Sequence, residues 1–406
     1  MRVLVLTHNY PRRSGDYAGA FVARLTAAVA GAGHEVHVVA PHAPGTAVEE
    51  VADGVRVHRF RYAPEALERV AYRGDLHEAG WRSPLRALGV PLFVLGFRAA
   101  AARVARKIGA PDVVHAHWWF PSGWAARPLR VPYVLTCHGS DVRLLDLGGP
   151  VRALGSGVLR GAARLTAVSA FLARDVGRAI PALAGAVDVL RMPVDVGRFR
   201  AARDAPRDAV PRILFVGNLI PSKGVDVLVE AFGRLRGRGV RCTLRVVGTG
   251  PLEGPLRRRV EALGLASAVS WAGVVSHDAI ADEYGRSTVA VLPSRGDREG
   301  LGLTLVEALL SGCAVVGTPA GGIPEVVEDG VTGLLARDGD PDDLARAIEQ
   351  LLVDAGFRER LAAAGRARAE REFDPDTCAR RFLALYDDAA RAKRTGSTVV
   401  APTPGP

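Results

Sequence analysis

The sequence of 406 residues has few cysteines, few lysines and no long apolar run. The four cysteines are scattered without metal-ligand spacing, so neither a disulfide framework nor a zinc site is predicted. They are Cys137, Cys242, Cys313 and Cys378. The longest nearly uncharged apolar stretch, Ala87 to Phe97, is too short to span a bilayer. The run Val3–Leu6 is too short for a signal-peptide core. We therefore expect a cytoplasmic protein.

Acidic residues are fewer than basic residues, 43 against 53, so the net charge is +10. Residues 59 to 107 hold ten basic and four acidic residues, which is six of that excess. Basic patches attract nucleic acid, anionic lipid or phosphorylated substrates. No zinc-finger, RNA-recognition or helix-turn-helix pattern accompanies this patch, so no nucleic-acid partner is predicted. Peripheral contact with an anionic membrane surface is the weaker hypothesis, and a solvated helical face without a partner is its alternative.

Both halves of the chain alternate short apolar runs with helical patterns. This alternation predicts an α/β protein with two doubly wound parallel sheets in tandem and a cleft between them. Strands are expected at Arg2–Leu6, Glu35–Ala40, Val55–Phe60, Asp112–Ala116, Tyr133–Thr136, Arg164–Val168, Val187–Leu190, Arg212–Val216, Thr243–Val247, Val269–Trp271, Val289–Leu292, Ala314–Gly317 and Gly333–Leu335. The polar stretch from Arg198 to Pro211 is interpreted as a linker.

Two glutamates, Glu299 and Glu307, flank a strand-to-helix turn in the second half. Ligands bind at the carboxyl edge of an open α/β sheet, so these acids could hold two parts of an elongated polar ligand. The alternative is structural. The run from Thr304 to Glu307 matches a capping box, and Glu299 would then be a solvated loop acid.

A lone lysine follows the first strand of the second half. Ser222 is a candidate N-cap, which would place Lys223 in the first helical turn, against the macrodipole. A bound phosphate would relieve that conflict. The chain has three lysines against fifty arginines, so a lysine here is unexpected from composition. We predict phosphate binding, with an incidental solvated lysine as the alternative.

In the first half, His138 and Asp141 follow a predicted strand and lie at its carboxyl edge. We predict a neutral imidazole of His138 that hydrogen-bonds a substrate, and a buried, satisfied histidine is the alternative. His115 and His117 share a strand face, but no carboxylate or cysteine completes a ligand set, so no metal is predicted.

Together these motifs resemble glycosyltransferase family 4, the retaining enzymes of GT-B fold. They are, in order, H-A-H-W, H-G-S-D, G-N-L-I-P-S-K-G, V-G-T-G-P, P-S-x4-E-G-L-G-L-T-L-V-E-A-L-x-S-G and G-G-I-P-E-V-V-E-D-G-V-T-G-L-L. The similarity covers nearly the whole chain and is most specific across residues 212–340. It implies two Rossmann-like domains, with acceptor binding in residues 1–196 and nucleotide-sugar binding in residues 197–376. Residues 377–394 would cross back to the first domain, and residues 395–406 should be a disordered tail.

The resemblance also implies a nucleoside-diphosphate sugar as co-substrate, with no cofactor and no metal. Lys223 would contact the diphosphate, Glu307 the ribose and Glu299 the transferred sugar. His138 would face that sugar near the reacting carbon, so the implied catalytic residues are Glu299, His138 and Lys223. The further donor-side positions are Asn218, Gly300, Leu301, Gly302, Leu303, Gly15 and Gly19. The acceptor-side candidates are His138, Asp141 and Tyr17.

The chain departs from the family pattern at Asn218, where an arginine is usual, and in the opening loop, which lacks an adjacent glycine pair. The acceptor implied is a glycolipid or polysaccharide precursor, or a small molecule. Two alternatives are a nucleotide-sugar epimerase of the same fold and a non-catalytic nucleotide-sugar-binding protein. An epimerase would convert the donor without any acceptor.

Overall fold

A computed structural model describes residues 1–68, 70–72, 84–203, 207–297 and 299–395. Contacts divide the chain into two compact units. The first unit comprises Met1–Pro193 together with the chain from Pro375 onward, and the second comprises Val194–Asp374. The predicted tail lies, from residue 396, outside the described residues.

The first unit is built on a sheet of eight strands in the order β3-β4-β2-β1-β5-β6-β7-β8. All neighbours are parallel except β3, which pairs antiparallel with β4. The central strands are buried along their length, as expected for a parallel sheet covered on both faces. The strands are β1 (Arg2–Leu6), β2 (Glu35–Pro41), β3 (Glu49–Ala52), β4 (Val55–Phe60), β5 (Val113–His117), β6 (Tyr133–Cys137), β7 (Arg164–Ala167) and β8 (Val187–Val189).

Helices connect these strands. They are α1 (Ala20–Gly31), α2 (Pro84–Lys107), α3 (Trp124–Ala126), α4 (Ser140–Leu144), α5 (Gly149–Leu159) and α6 (Ala170–Ala179). The apolar run of α2 is only partly buried. Phe93 and Phe97 are fully buried, whereas Leu92 and Leu95 are more than half exposed. No helix in the described ranges combines the length and apolar character that crossing a membrane requires.

The second unit carries a six-stranded parallel sheet in the order β11-β10-β9-β12-β13-β14. Its strands are β9 (Arg212–Val216), β10 (Thr243–Val247), β11 (Val269–Gly273), β12 (Val289–Leu292), β13 (Ala314–Gly317) and β14 (Leu334–Leu335). Its helices are α7 (Val196–Ala202), α8 (Val225–Gly237), α9 (Glu253–Ala262), α10 (His277–Gly285), α11 (Leu303–Leu310), α12 (Pro341–Val353) and α13 (Ala355–Phe373).

The last helix, α14 (Pro375–Thr395), is part of the first unit, where it packs on α1, β5 and β6. Its Tyr386 hydroxyl lies 2.7 Å from His115 Nδ1, and Phe382 contacts the same imidazole. Both aromatic side chains are buried. These contacts explain why the end of the chain belongs with its beginning.

The predicted linker from Arg198 to Pro211 is wrong over its first residues. They belong to α7, which Asp195 caps by accepting a hydrogen bond from the Arg198 N–H at 3.2 Å. Val196, Phe199 and Ala202 of this short helix are buried, and Phe199 lies beside the Tyr284 ring, so apolar packing holds α7 in place. Sequence patterns also missed β3, whose residues lie mostly exposed at the sheet edge.

Candidate functional site

In the second unit, Lys223 lies in a one-turn 3-10 helix, Pro221–Lys223, between β9 and α8. The predicted N-cap at Ser222 is wrong, because α8 begins after Gly224 and has no side-chain cap. Gly224 has a φ of 64°, and a Cβ there would lie 1.9 Å from the Pro293 carbonyl oxygen. Only glycine fits this position, so the preceding turn is set apart from α8. Lys223 therefore precedes α8 and does not lie in its first turn, so the macrodipole argument loses its basis.

What Lys223 makes instead is an ion pair with Glu299. The Lys223 Nζ lies 2.6 Å from Glu299 Oε2, and the Ser294 Oγ donates to the same oxygen at 2.8 Å. The two charged side chains are 25% and 12% exposed, so the pair lies near the surface but is largely shielded from water. Two residues assigned separately from the sequence thus meet at the carboxyl edge of β9 and β12.

The loop that carries Glu299 is held by the glycines after β13. Gly322 donates its N–H to the Glu299 carbonyl oxygen at 3.0 Å. A Cβ on Gly321 would lie 2.0 Å from that same oxygen, so this position admits no side chain without a shift of the backbone. The glycine pair therefore packs against the acidic loop and fixes the position of the Glu299 backbone.

Glu307 does not form the capping box predicted as the structural alternative. Helix α11 starts at Leu303 after Gly302, with no side-chain cap, so Thr304 already lies within the helix. The Glu307 Oε2 instead accepts a hydrogen bond from the Tyr284 hydroxyl at 3.1 Å. Burial raises the pKa of Glu307 to about 7, and the hydrogen bond from Tyr284 opposes that rise. This carboxyl therefore titrates near neutral pH.

The other donor-side positions differ in exposure. Asn218 is exposed just after β9. Leu301 and Gly302 are buried and anchor the start of α11, whereas Gly300 and Leu303 are partly exposed. The structure thus separates a scaffold, made of Leu301 and Gly302, from positions that a ligand can reach.

In the first unit, His138 lies at the carboxyl edge of β6. Its Nε2 is 3.0 Å from His117 Nδ1, and its ring packs 4.3 Å from Trp118 and 5.2 Å from Phe21, measured between ring centroids. These neighbours remove water from the imidazole, which lowers the pKa of His138 well below its usual value. The ring is therefore neutral at physiological pH.

Asp141 supports the loop that carries His138. Its carboxylate accepts hydrogen bonds from the N–H groups of His138 and Gly139 at 3.0 Å and from that of Trp119 at 3.1 Å. The side chain is buried, and this burial raises the pKa of Asp141, although the three N–H groups act in the opposite direction. Its carboxylate faces backbone, so it would act on an acceptor only through the loop that it holds.

Sequence reasoning missed the aromatic centre of this cluster, Trp118. Its φ of 67° is uncommon for a bulky side chain, and such conformations cluster at functional sites. The Trp118 ring packs on His138 and, at 4.4 Å, on His8. Burial lowers the pKa of His8 to about 4, so it is also neutral. In the sequence, the H-A-H-W run was the signal for Trp118, and H-G-S-D was the signal for His138.

The opening loop of the first unit follows β1. Gly15 and Gly19 both have left-handed φ values, 75° and 67°, and Tyr17 between them is 63% exposed. Asp16 pairs with Arg12 at 2.6 Å and accepts the Ala18 N–H at 3.2 Å. The loop is thus braced from inside while Tyr17 projects into solvent.

The family of the chain is shown by comparison with known proteins. The family model for Glycosyltransferase Family 4 matches residues 18–198, and that for Glycosyl transferases group 1 matches residues 200–368. A GDP-mannose-dependent alpha-(1-6)-phosphatidylinositol monomannoside mannosyltransferase of Mycobacterium tuberculosis is 30% identical over 96% of this chain and 100% of its own length. The chain belongs to glycosyltransferase family 4, and it is a glycosyltransferase.

Solved structures agree on the fold. Sucrose-phosphate synthase from Thermosynechococcus elongatus superposes with a TM-score of 0.75 at 23% identity, covering 98% of this chain and 100% of that one. The Anabaena protein HepE, solved with UDP-glucose, gives a TM-score of 0.68 at 19% identity, covering 95% and 99%. The predicted GT-B fold, with two parallel-sheet α/β domains, is confirmed.

Proposed function

We propose that this protein is a retaining, metal-independent glycosyltransferase that moves a sugar from a nucleoside-diphosphate sugar to a hydroxyl acceptor. The observation that carries the proposal is the contact between Lys223 and Glu299 at a sheet edge where ligands bind. A relative whose name makes it GDP-mannose-dependent supports a nucleotide sugar as donor. Neither the epimerase nor the non-catalytic alternative is favoured.

The ion pair suits a donor because each partner has bonding capacity left. An ammonium group carries three hydrogens, and Glu299 uses one of them. The other two can reach diphosphate oxygens at the same time. On the carboxylate, Oε2 accepts from both Lys223 and Ser294, whereas Oε1 has no partner among the described residues. Oε1 can therefore accept from hydroxyl groups of the sugar while Lys223 binds the adjacent phosphate.

Lys223 also supplies a positive charge that stabilises the leaving diphosphate. As the bond to the sugar breaks, negative charge grows on the diphosphate, and a fixed cation stabilises it more than it stabilises the bound donor. The donor's own phosphate would take the acceptor proton on the same face of the sugar, which gives retention. In this scheme no metal ion is required.

Glu307 is proposed to accept hydrogen bonds from the ribose. Tyr284 holds one of its oxygens, and a carboxyl that titrates near pH 7 can become an anion when two hydroxyl groups donate to it. The first unit is proposed to hold the acceptor. There, the neutral imidazole of His138 offers one hydrogen-bonding position without a competing charge.

Cytoplasmic location and peripheral membrane contact are proposed from charge and sequence. The exposed Leu92 and Leu95 of α2 lie beside the basic segment and support contact with a lipid surface. Binding to anionic liposomes should then weaken as salt is raised. Absence of liposome binding at low salt would contradict membrane contact but would not bear on the proposed transferase activity.

The activity is tested with Glu299→Ala. We expect sugar transfer to fall about 10²- to 10³-fold. Asp297→Ala is the matched control, because Asp297 is an exposed acid in the same loop, and it should transfer normally. Donors are first screened by thermal shift, since a bound ligand stabilises the folded state. Wild-type transfer by Glu299→Ala would contradict the role of this residue.

The stereochemistry and the metal requirement are tested separately. Proton NMR of the product formed early in the reaction should show the anomeric configuration of the donor. Transfer should be unchanged in excess EDTA. An inverted product would contradict retention, and loss of activity in EDTA that added metal restores would contradict metal independence.

A further inference from the structure

Two imidazole rings meet at the carboxyl edge of the first sheet. His117 is the last residue of β5, and His138 follows the neighbouring strand β6. His117 Nδ1 lies 3.0 Å from His138 Nε2, which is hydrogen-bonding distance. One of these two nitrogens donates and the other accepts. The direction of the bond decides which nitrogen of His138 carries its proton, and so what that ring offers to a ligand.

Both rings are neutral, so each has one N–H group and one bare nitrogen. Burial lowers the pKa of His117 well below its usual value, and burial lowers the pKa of His138 in the same way. A third imidazole, His115, lies 4.0 Å from the His117 ring between centroids. It does not compete for the contact, because its two nitrogens are bonded to the hydroxyl groups of Tyr386 and Thr136. The contact between His117 and His138 therefore holds a single proton.

The other nitrogen of His117 distinguishes the two directions. His117 is fully buried, and its Nε2 has no hydrogen-bond partner among the described residues. If His138 donated across the contact, the proton of His117 would lie on Nε2 and leave a buried N–H group without an acceptor. If His117 donates from Nδ1, its Nε2 is only a bare nitrogen. An orphaned N–H group is rarer in protein interiors than an acceptor that lacks a partner, so the second direction is favoured.

The second nitrogen of His138 lies on the open side of the cluster. The residue is partly exposed, and its Nδ1 makes no hydrogen bond in the described part of the chain and is not among the fully buried polar atoms. Because Nε2 accepts from His117, the single proton of the neutral ring lies on Nδ1. Packing against Phe21 and Trp118 holds the ring in this orientation. His138 therefore presents a fixed N–H donor.

We propose that His117 is a positioning residue that sets the tautomer of His138, so that the Nδ1–H group of His138 donates a hydrogen bond to an oxygen of the transferred sugar. The inference rests on the transferase function above, with His138 facing that sugar. It assigns a role to His117, which itself touches no ligand. It also limits what His138 can do. The only bare nitrogen of this ring already accepts from His117, so His138 binds the sugar and does not act as a general base.

The tautomers are measured directly on the full chain, without any ligand. In protein labelled with ¹⁵N-histidine, two-bond ¹H–¹⁵N correlations at neutral pH separate protonated from bare ring nitrogens. Comparison with His138→Gln and His117→Phe identifies the signals of these two rings among the ten histidines. We expect both rings to be protonated at Nδ1 and bare at Nε2. Protonation of His138 at Nε2 would overturn the inference, whether or not the protein transfers sugar.

The role of His117 in sugar binding is tested by calorimetry with UDP-glucose, GDP-mannose and ADP-glucose, each compared with its nucleotide alone. His117→Phe keeps an aromatic ring and removes both nitrogens, so nothing holds the proton of His138 to one nitrogen. The affinity that the sugar adds to the nucleotide should fall about fivefold or more, while the Kd of the nucleotide stays unchanged.

His37 provides the matched control. It is buried on β2, and its Nδ1 lies 3.0 Å from His58 Nε2, so His37→Phe removes an equivalent imidazole contact from the same sheet. The contribution of the sugar should keep its wild-type value in this variant. Thermal denaturation shows whether each variant is folded. If His117→Phe does not fold, the smaller His117→Leu replaces it, and if neither folds, the tautomers of the wild type decide the question.

The outcomes separate this inference from the proposed function. A wild-type contribution of the sugar in a folded His117 variant overturns the inference, as does an equal loss in His37→Phe, because the contact with His138 would then not be the cause. Either result leaves sugar transfer itself uncontradicted. Absence of binding by every nucleotide and nucleotide sugar to the wild type would contradict the proposed function instead, and the sugar contact of His138 would fall with it.

Discussion

The raised pKa of Glu307 predicts that this residue destabilises the folded protein above neutral pH. The pKa of Glu307 is about 7, against an ordinary value of 4.5. Each tenfold difference in proton affinity between the folded and unfolded states is worth about 1.4 kcal/mol, so ionising Glu307 costs the folded state on the order of 3 kcal/mol. Because the folded state binds the proton more tightly than the unfolded state, this stability is fully present below pH 4.5. It is lost as pH rises from 4.5 through 7.

Glu307→Gln removes this titration and should reverse the loss. Relative to the wild type, the variant should gain up to about 3 kcal/mol in free energy of unfolding between pH 4.5 and pH 8. Urea unfolding followed by tryptophan fluorescence, at intervals of half a pH unit, measures the difference. Glu359→Gln, at an exposed acid of α13, is the control and should show little pH-dependent change. A difference between Glu307→Gln and wild type that does not vary with pH would refute the reasoning.

Three further predictions follow from the same contacts. If Glu307 binds ribose as an anion, binding at pH 7 of the nucleoside diphosphate selected by thermal shift should release about half a proton, which calorimetry in buffers of different ionisation enthalpy detects. Gly321→Ala should lower both Tm and transfer, whereas Gly330→Ala, also at positive φ but in open space, should lower Tm less and leave transfer intact. Tyr386→Phe should cost about 1 kcal/mol in chemical denaturation, because it removes the buried hydrogen bond to His115; no cost would show that the bond is not formed.

The sheets could be predicted from the sequence because parallel strands buried on both faces appear as continuous apolar runs. The strands Arg2–Leu6, Val55–Phe60 and Val289–Leu292 have the predicted bounds. Hydrophobic periodicity failed to predict two short elements, α7 and β3. Helix α7 has only 7 residues, and β3 is an exposed edge strand of 4 residues, so neither is long enough and buried enough to produce a clear periodic signal.

The loops that carry the candidate site could be predicted, but their contacts could not. Position at the carboxyl edge follows from chain order, which is why Lys223, Glu299 and His138 were found. The contact between Lys223 and Glu299 joins residues 76 positions apart, and it depends on how two loops pack. For the same reason, the sequence did not predict the packing of Trp118 on His138. It also did not predict that Glu307 accepts a hydrogen bond from the Tyr284 hydroxyl instead of forming a capping box.

The central claim is that the ammonium of Lys223 acts on the donor diphosphate, and one matched pair of variants tests it. Lys223 and Lys107 each make a 2.6 Å ion pair with a glutamate. Of the two, Lys223 lies at the candidate donor site and Lys107 does not, so Lys107 is the matched control. The measurement is kcat/KM for sugar transfer by Lys223→Met and Lys107→Met. We predict a loss of about 10²-fold or more in Lys223→Met and a near-normal rate in Lys107→Met. Equal rates in the two folded variants would contradict the account.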